Sequence, residues 1–366
     1  MEISFRKVRP DILNVEYRER EDCYTWGRDN AFPSMLETLI NGSVTAGTCV
    51  DKVSKAIFGK GFGEEGNFKV NQKQTLNKVL QLAARIYAKQ NNVFLHLRYN
   101  MMYEIVSVKV ISPKFVRYAS ADDNEYSGKM IIYNNWDMQL DSSINVDKFK
   151  YVDVYDPRPE VIAKQIEAVK GIENYNGQIL HIQKDEENRY AMSDYYKVLK
   201  ELLIENKSQV FRNNGIERGF LNNKLLARPP YADDDEKKAF KKSIDELSGA
   251  DGAGKIAIMT IPMEGDDVNK QFAITDLSGS YNDKLFAYTD EQAEKNICKA
   301  ASVPLILVAQ NDSSIFGNSG ELLKQARLQL WQDKELERLE IQNIFNDVMN
   351  HFIHKPNNTL IIQSNE

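Results

Sequence analysis

The stretch from Asp283 to Phe352 limits what this chain can fold into more than any other part of the sequence. Apolar residues recur at helical spacing from about Lys284 to Ser302, and this helix must end where Val303 precedes Pro304, because proline disfavours helical backbone in the residue before it. After a polar segment, residues 321–354 contain no helix breaker. We expect them to form one unbroken rod of roughly 50 Å, at about 1.5 Å of rise per residue. Rods of this length are rare in compact enzyme cores.

The polar segment between these two helices, Gln310 to Gly320, is rich in glycine, serine and asparagine. Short polar residues and glycine favour turns over helix, so we expect a mobile loop here. Ser319 or Asn318 can accept hydrogen bonds from the free N–H groups at the start of the next helix, and Glu321 suits the positive end of its dipole. The sequence therefore predicts a helix, a proline stop, a mobile loop and a capped long helix, in that order.

The composition is that of a soluble globular protein. The chain has 366 residues, 42% of them hydrophobic and 27% charged, and its apolar runs are far shorter than the roughly 20 residues that span a bilayer. No signal peptide is expected, because the first residues lack an apolar core. The three cysteines are scattered without metal-ligand spacing, which indicates a reducing, cytoplasmic setting. The net charge of −6 argues against a clamp that grips nucleic acid through its phosphates.

The first half of the chain is predicted to be a polar N-terminal arm followed by an α/β block. A helix is expected from Ser34 to Phe58, although Asn41–Gly42 and Gly47 weaken or break it. Gly59 to Gly63 is better explained as glycine termination of that helix than as a phosphate-binding loop. Runs rich in β-branched and aromatic residues predict a meandering antiparallel sheet from residues 92–99, 103–111, 115–119, 129–133 and 149–155. Further helices are predicted at 72–90 and 193–211, and further strands at 178–181 and 220–227.

The composition changes after Pro230. Asp233 to Leu247 is expected to form a helix whose acidic N-terminus compensates the helix dipole. Two strands, Lys255 to Ile261 and Gln271 to Thr275, are predicted to pair as a small β element between this helix and the one that begins near Lys284. The expected fold class is therefore α+β.

Sequence motifs for catalysis are missing. No catalytic, phosphate-binding, dinucleotide or zinc motif is present, so we expect neither an enzyme nor a resident metal or cofactor. Two other hypotheses stay open. One is a metal-dependent, nuclease-like enzyme that uses Asp233–Glu236, His181 and Asp266–Asp267. The other is a helical scaffold or adaptor whose long C-terminal helix pairs with a partner, although its apolar spacing is not a clean heptad.

Several phrases in this chain resemble the portal proteins of tailed bacteriophages. The matching pieces are Phe211–Leu221, the helix Asp233–Leu247 with the glycines that follow it, the strand Lys255–Ile261, Asn296–Pro304 and the loop that ends in Phe316–Glu321. Tyr24–Pro33 is similar to the N-terminal segment of portal proteins from phages of Bacteroides-like hosts. The chain departs from the family phrase at Ala301, where an aromatic residue is usual.

The resemblance implies a portal-like fold, with a mixed α/β wing that contains antiparallel strands, a helical stem, a small β clip and a long C-terminal helix. The implied divisions are an N-terminal arm (1–32), a wing (33–230), a stem helix (231–252), the clip (253–282), a second stem helix (283–303), a tunnel loop (304–320), the long wing helix (321–354) and a C-terminal tail (355–366).

The resemblance also implies a function and a set of partners. Subunits would form a ring, usually of twelve, that serves as a channel at a capsid vertex for packaging and ejecting double-stranded DNA without sequence recognition. The tunnel loop would meet DNA through Asn311, Asp312, Ser313, Ser314, Phe316 and Asn318. The clip would face the large terminase subunit and later the neck or adaptor proteins through Lys255, Met259, Glu264, Asp266 and Asp267. Capsid and scaffold proteins are further implied partners. The expected location is the virion, after assembly in the bacterial host cytoplasm and without membrane contact.

Overall fold

A computed structural model of the chain describes residues 15–119, 128–136, 144–185, 187–217, 224–228, 233–235, 237–239, 242, 256–260, 273–276, 283–308 and 319–364. Two compact units are present. Residues 1–202 together with 294–366 form the first unit, and residues 203–293 form the second.

The α-helices are α1 (Phe32–Gly42), α2 (Val44–Phe58), α3 (Leu76–Gln90), α4 (Pro159–Ala168), α5 (Leu199–Glu217), α6 (Asp283–Ala300), α7 (Ser319–Asp333) and α8 (Glu335–Asn350). The helix expected from residue 34 to 58 is divided at Ser43, directly after Asn41–Gly42, where the sequence predicts a weakness, and it continues through Gly47. Ser43 has extended backbone, and its hydroxyl accepts a hydrogen bond from the Ala46 N–H at 2.9 Å, so it caps α2. In the expected helix 233–247, residues 234–235, 237–239 and 242 are described and are helical.

The strands are β1 (Tyr17–Arg18), β2 (Cys23–Tyr24), β3 (Asn92–Tyr99), β4 (Ile105–Ile111), β5 (Val116–Tyr118), β6 (Lys129–Ile132), β7 (Lys150–Val154), β8 (Gln178–Gln183), β9 (Lys224–Arg228), β10 (Ile256–Thr260) and β11 (Ala273–Asp276). Strands β3 to β8 form one sheet in the order β4-β3-β8-β7-β6-β5. The predicted strands are present, but the sheet is not a simple meander. β7 and β8 run parallel, and a parallel pair needs a crossover connection, which α4 supplies. The sequence pattern alone did not predict α4.

Both edges of this sheet are covered by other parts of the first unit. On β4, the Val108 N–H donates to the Val70 carbonyl at 2.9 Å, and the Ile105 carbonyl accepts from the Ile353 N–H at 3.0 Å. On the opposite side Ala119, the residue after β5, forms an antiparallel bridge with Cys23. Unpaired strand edges invite pairing with other chains, so this sheet offers little opportunity for edge-to-edge association.

Residues 15–30 belong to the core of the first unit, whereas the sequence predicts an extended or poorly ordered arm there. Trp26 is 1% exposed and stacks on Tyr190, with ring centroids 4.2 Å apart. The Asn30 side-chain oxygen accepts from the Trp26 N–H at 2.9 Å, and Arg117 Nη2 donates to the Asn30 backbone carbonyl at 2.7 Å. The prediction of an arm is therefore wrong for these residues, because their polar groups are part of a buried network.

The second unit contains a three-stranded sheet with β9 in the centre. β10 runs parallel to β9, and β11 runs antiparallel to it. The predicted direct pairing of strands near 255–261 and 271–275 is therefore wrong, because β9, from the segment before Pro230, lies between them. Proximity in sequence suggests a hairpin, but the pairing partner comes from farther away along the chain. In the same unit, Arg212 on α5 forms an ion pair with Asp290 on α6.

Candidate functional site

The end of α6 confirms the predicted helix stop. The Val303 N–H donates to the Cys298 carbonyl at 2.9 Å, and the Ser302 N–H donates to the Lys299 carbonyl at 3.1 Å. Ser302 has a φ of 54°, in the left-handed region. These are the hydrogen bonds and the backbone turn of a Schellman motif, which ends helices and usually has glycine in the left-handed position. Val303 and Cys298 are both buried, so the stop is anchored in the core of the first unit.

The chain then reaches the candidate tunnel loop through a short 3-10 helix. Pro304 is followed by Leu305–Leu307, in which the Leu307 side chain is buried. This turn contacts α7, the helix that begins at Ser319 on the far side of the loop. Ala326 and Leu330 hold α7 against the core. The chain segments on both sides of residues 309–318 are thus attached to the same packed body.

Most residues predicted to contact DNA or partner proteins lie outside the part of the chain that the structure describes. They are Asn311, Asp312, Ser313, Ser314, Phe316 and Asn318 of the tunnel loop, and Lys255, Glu264, Asp266 and Asp267 of the clip. Met259 lies in β10, where its backbone is in register with Ala227 of β9. The roles of all these residues in DNA or partner contact stay predictions.

The long C-terminal rod consists of two helices. α7 ends at Asp333 and α8 begins at Glu335, with Lys334 between them. In an unbroken helix the Trp331 carbonyl would accept from the Glu335 N–H, but here it accepts from Arg338 Nη1 at 2.8 Å. A side chain that enters the backbone hydrogen-bond ladder bends a helix, and this insertion accounts for the break. The expectation of one continuous rod is therefore wrong.

The Arg338 side chain caps the C-terminal ends of two helices, α2 and α7. Its Nη1 donates to the Trp331 carbonyl at the end of α7, and also to the Ala56 carbonyl at the end of α2, at 3.1 Å. The last carbonyls of a helix lack partners within the helix and carry partial negative charge, so a guanidinium suits them well. The guanidinium carbon lies 3.5 Å from the centre of the Trp331 ring, a cation–π distance. Burial lowers the pKa of Arg338, but arginine stays charged in proteins.

A pattern in the sequence marks the buried residues of this junction, although it does not predict the break itself. The buried positions recur every three or four residues along the helix pair: Leu330, Lys334, Arg338, Ile341 and Phe345. Two cations in an otherwise apolar stripe must find partners, because an isolated buried charge is costly. Arg338 contacts backbone carbonyls, and Lys334 Nζ lies 3.1 Å from a carboxylate oxygen of Glu337. This stripe packs inside the chain's own core. Most of the apolar face that a coiled-coil partner would need is therefore already buried, which argues against the coiled-coil hypothesis.

The C-terminal segment packs on the glycine-rich turn after α2. The Lys60 N–H donates to the Gln363 carbonyl, and the Gln363 N–H donates to the Gly61 carbonyl, both at 2.9 Å. Gly59 ends α2 with a φ of 55°, which confirms the predicted glycine termination. A Cβ at Gly59 would lie 2.2 Å from the Gln363 carbonyl oxygen and 2.9 Å from the Trp331 ring, so a larger residue does not fit. This cover by the chain's own tail favours a structural role over phosphate binding.

His181, which the nuclease hypothesis requires as a metal ligand or catalytic group, is already used inside the fold. The His181 Nε2–H donates to the Asn92 side-chain oxygen at 3.0 Å, and its Nδ1 accepts from the Tyr118 hydroxyl at 2.8 Å. Burial lowers the pKa of His181 to about 3, so the ring is neutral and both nitrogens are engaged. Within the described ranges, no group of three or more His, Cys, Asp or Glu side chains could hold a metal ion. No helix in those ranges is long and apolar enough to cross a membrane.

No protein-family model matches this chain, and no curated protein matches it in sequence. Its fold, however, is similar to solved structures. A chain in the virion of a native gene transfer agent particle matches with a TM-score of 0.53 and 12% identity, over 91% of this chain and 85% of that chain. A chain in the neck of an empty gene transfer agent particle, computed with C6 symmetry, matches with a TM-score of 0.52 and 13% identity, over 91% of this chain and 84% of that chain. An HK97-family phage portal protein from Corynebacterium diphtheriae is more distant, with a TM-score of 0.40 and 6% identity, over 79% of this chain and 82% of that chain. Over nearly its whole length, the chain shares the fold of a component of gene transfer agent particles.

Proposed function

We propose that this protein is a portal subunit of a bacteriophage or prophage, which forms a ring-shaped channel for double-stranded DNA at a capsid vertex. The observation that carries the proposal is the fold match, over 91% of the chain, to a component of a gene transfer agent virion. The portal-like phrases Asn296–Pro304 and Phe316–Glu321 support it independently, because they depend on residues and not on the fold. A Bacteroides-type host is suggested by Tyr24–Pro33 alone.

The surroundings of the candidate tunnel loop suit a channel constriction. A loop that meets moving DNA must change conformation while its ends stay fixed, and here the buried Val303 and Leu307 fix the entry. Uncharged loop residues such as Asn311 and Ser313 can make short-lived contacts with phosphates, and Asp312 limits how firmly the loop grips. The net charge of −6 per chain favours sliding, because a basic wall would hold DNA by releasing its counterions.

The proposal assigns a ring of identical subunits, for which the resemblance implies twelve. One structural neighbour comes from a neck computed with C6 symmetry, which supports a rotationally symmetric assembly. Because both edges of the six-stranded sheet are covered, this sheet would meet neighbouring subunits through side-chain surfaces and not by strand addition.

The remaining partners follow from the same proposal. The large terminase subunit and the neck or adaptor proteins would bind the clip, and capsid and scaffold proteins would surround the ring. The protein would assemble in the bacterial host cytoplasm and remain in the virion. Its role would be structural, without catalysis or a cofactor.

Ring formation tests the proposal directly. The full-length protein is purified alone and after co-expression with the capsid and scaffold proteins of the same phage. Sedimentation velocity over a range of concentrations and negative-stain electron microscopy then give its size and shape. We expect a ring with an axial hole in at least one preparation. Monomers or dimers alone, in both preparations and at every concentration, would contradict the portal assignment.

A second experiment tests the tunnel loop within an assembled ring. Deletion of Ser313–Gly317 and the change Asp312→Lys should each leave the ring intact and alter DNA packaging or DNA retention in virions. The control is Glu64→Lys, the same change at an exposed carboxylate in a surface turn. If both loop variants package and retain DNA as the control does, the loop is not the DNA contact, whatever the outcome for the ring.

A further inference from the structure

Two of the three cysteines meet in the core of the first unit. Cys49 in α2 and Cys298 in α6 are 249 positions apart in sequence, yet their Sγ atoms lie 3.9 Å apart. Their side chains are fully buried. The sulfurs of a disulfide lie about 2.05 Å apart, so the fold brings these two close to bonding distance without joining them. The remaining gap is small enough to be closed by a change of side-chain rotamer.

The third cysteine has a different environment. Cys23 belongs to a separate apolar cluster, together with Ala119, Ile131 and Trp136. Burial raises the pKa of its thiol to about 12. A thiol reacts as its thiolate, so Cys23 is a poor nucleophile in the folded protein. The chain therefore contains one cysteine pair and one cysteine that can serve as a control for it.

A small cavity lies beside the pair. Its lining includes Val53, one helical turn after Cys49, and Ala301, three residues after Cys298. Tyr195 lines it as well. Burial raises the pKa of the Tyr195 hydroxyl well above its usual range, and the two cysteines lie close enough to raise it further. The cavity has a volume of about 10 Å³, which is room for about one water-sized molecule. A very small oxidant, such as hydrogen peroxide, can therefore approach the sulfurs by this route.

The pair lies at the entry to the candidate tunnel loop. The Cys298 carbonyl accepts from the Val303 N–H at 2.9 Å, in the hydrogen bond that ends α6 before the loop. The other helix, α2, ends in the turn at Gly59, on which the C-terminal segment packs. A bond between Cys49 and Cys298 would therefore join the helix that leads into the loop to a helix that is already fixed at its far end.

We propose that Cys49 and Cys298 are a redox-sensitive pair, present as two thiols in a reducing cell and joined as a disulfide in oxidising surroundings. With hydrogen peroxide as the oxidant, one thiol is first converted to a sulfenic acid, and one water is released. The second thiol then attacks that sulfur, the S–S bond forms, and a second water leaves. The two sulfurs are oxidised, and the peroxide is reduced to two waters. In the cytoplasm, the glutathione pool keeps such a pair in the thiol form.

The disulfide would act most strongly at the end of α6. It spans 249 positions, and in the chain-entropy account the stabilisation by a disulfide increases with the length of the loop that it closes. The disulfide itself does not depend on the portal proposal, but its consequence for DNA rests on that proposed function. During assembly in the cytoplasm the entry to the loop would be free to adjust, and oxidation would fix it once the virion has left the cell.

Counting thiols tests the pair. The full-length protein is purified with a reductant, which is then removed. One sample is treated with hydrogen peroxide, and another is equilibrated with oxidised and reduced glutathione. Both are denatured, alkylated and analysed by mass spectrometry. We expect the number of alkylated thiols to fall from three to one. Peptide mapping should find Cys49 joined to Cys298, and dithiothreitol should restore all three thiols.

Variants at the three cysteines provide the matched controls. Cys23→Ala should still form the disulfide and keep no alkylated thiol. Cys49→Ala and Cys298→Ala should each keep both remaining thiols. In the unsubstituted protein, oxidation should slow hydrogen exchange in residues 297–303 by at least about tenfold, and in Cys49→Ala it should change nothing. The main measurement uses the unsubstituted protein, so a variant that does not fold leaves the test intact.

Four outcomes overturn the proposal: three thiols remain under both oxidising conditions, the sulfurs gain oxygen without joining, Cys23 takes part in the disulfide, or the oxidised and reduced proteins exchange hydrogen alike. Ring formation is measured separately from the thiol count. A protein that forms rings without this disulfide overturns the redox proposal alone. A protein that forms the disulfide but no ring supports the redox proposal and contradicts the portal assignment.

Discussion

Replacing Arg338 with methionine keeps a long side chain in the same space and removes the guanidinium that closes the ends of α2 and α7. Three hydrogen bonds are lost, at 2.8 Å to the Trp331 carbonyl, at 3.1 Å to the Ala56 carbonyl and at 3.4 Å to the Lys334 carbonyl. The Lys334 carbonyl keeps its bond from the Arg338 backbone N–H, but the Trp331 and Ala56 carbonyls then lack a partner in a region where Arg338 itself is only 7% exposed. We therefore expect Arg338→Met to destabilise the first unit and to loosen the junction between α7 and α8.

The size of this effect can be estimated from its parts. A hydrogen bond from a charged donor contributes about 1.5–3 kcal/mol, and a cation–π contact about 0.5–2 kcal/mol. Removing the buried charge also removes its desolvation cost, which is several kcal/mol and offsets part of the loss. The expected net destabilisation is about 2–4 kcal/mol.

Urea unfolding at a fixed protein concentration measures this change. Trp331 is one of three tryptophans and stacks on the guanidinium, so its fluorescence reports on the junction. Hydrogen exchange followed by mass spectrometry should show faster exchange in residues 331–338. The control is Arg327→Met, the same substitution at an exposed position of α7, and it should change the free energy of unfolding by less than about 0.5 kcal/mol. A loss below about 1 kcal/mol for Arg338→Met, or equal effects of the two variants, would refute the role given to this arginine.

Three further predictions follow from single residues. Ser302→Gly should raise the free energy of unfolding by about 0.5–1 kcal/mol in urea titration, because glycine removes the strain of a left-handed serine at the end of α6; a lower value would contradict the motif. Gly59→Ala should lower it by more than about 2 kcal/mol, since the added Cβ meets the Gln363 carbonyl oxygen; a near-neutral change would show that the turn can move. Burial lowers the pKa of His96 to about 4, from 6.5 in the unfolded chain. Between these values the unfolded chain binds a proton that the folded chain does not, so stability falls as the pH drops through this window, by about 1.4 kcal/mol per pH unit. Urea titrations over this range should show a smaller slope for His96→Gln, and an unchanged slope would mean that His96 is not responsible.

Local chemistry was enough to predict several features of this protein. The stop of α6 before Pro304 follows from the restriction that proline imposes on the residue before it, and Gly59 ends α2 for a similarly local reason. Strands β3 to β8 were predicted from runs of β-branched and aromatic residues. Short phrases suggested a portal-like fold, and the comparison with solved structures shows that the chain shares the fold of a component of gene transfer agent particles.

Contacts between residues far apart in sequence decided the rest. Arg338 contacts Ala56, 282 positions earlier, and that bond cannot be read from the pattern of the long helix. Asn30 meets Arg117, which buries a segment whose polar composition predicts an arm. The order of strands has the same origin, because β8 enters between β3 and β7, and β9 enters between β10 and β11.

The sequence by itself determined where the helix before the candidate tunnel loop ends, because proline and glycine act on their own backbone. Only the tertiary structure decided that the rod after the loop breaks at Lys334 and that the apolar stripe of α8 is used inside the chain. These features depend on which distant groups are left without partners once the core has packed. A buried hydrogen-bonding group takes whichever partner the fold brings near, and the order of residues along the chain does not specify that partner.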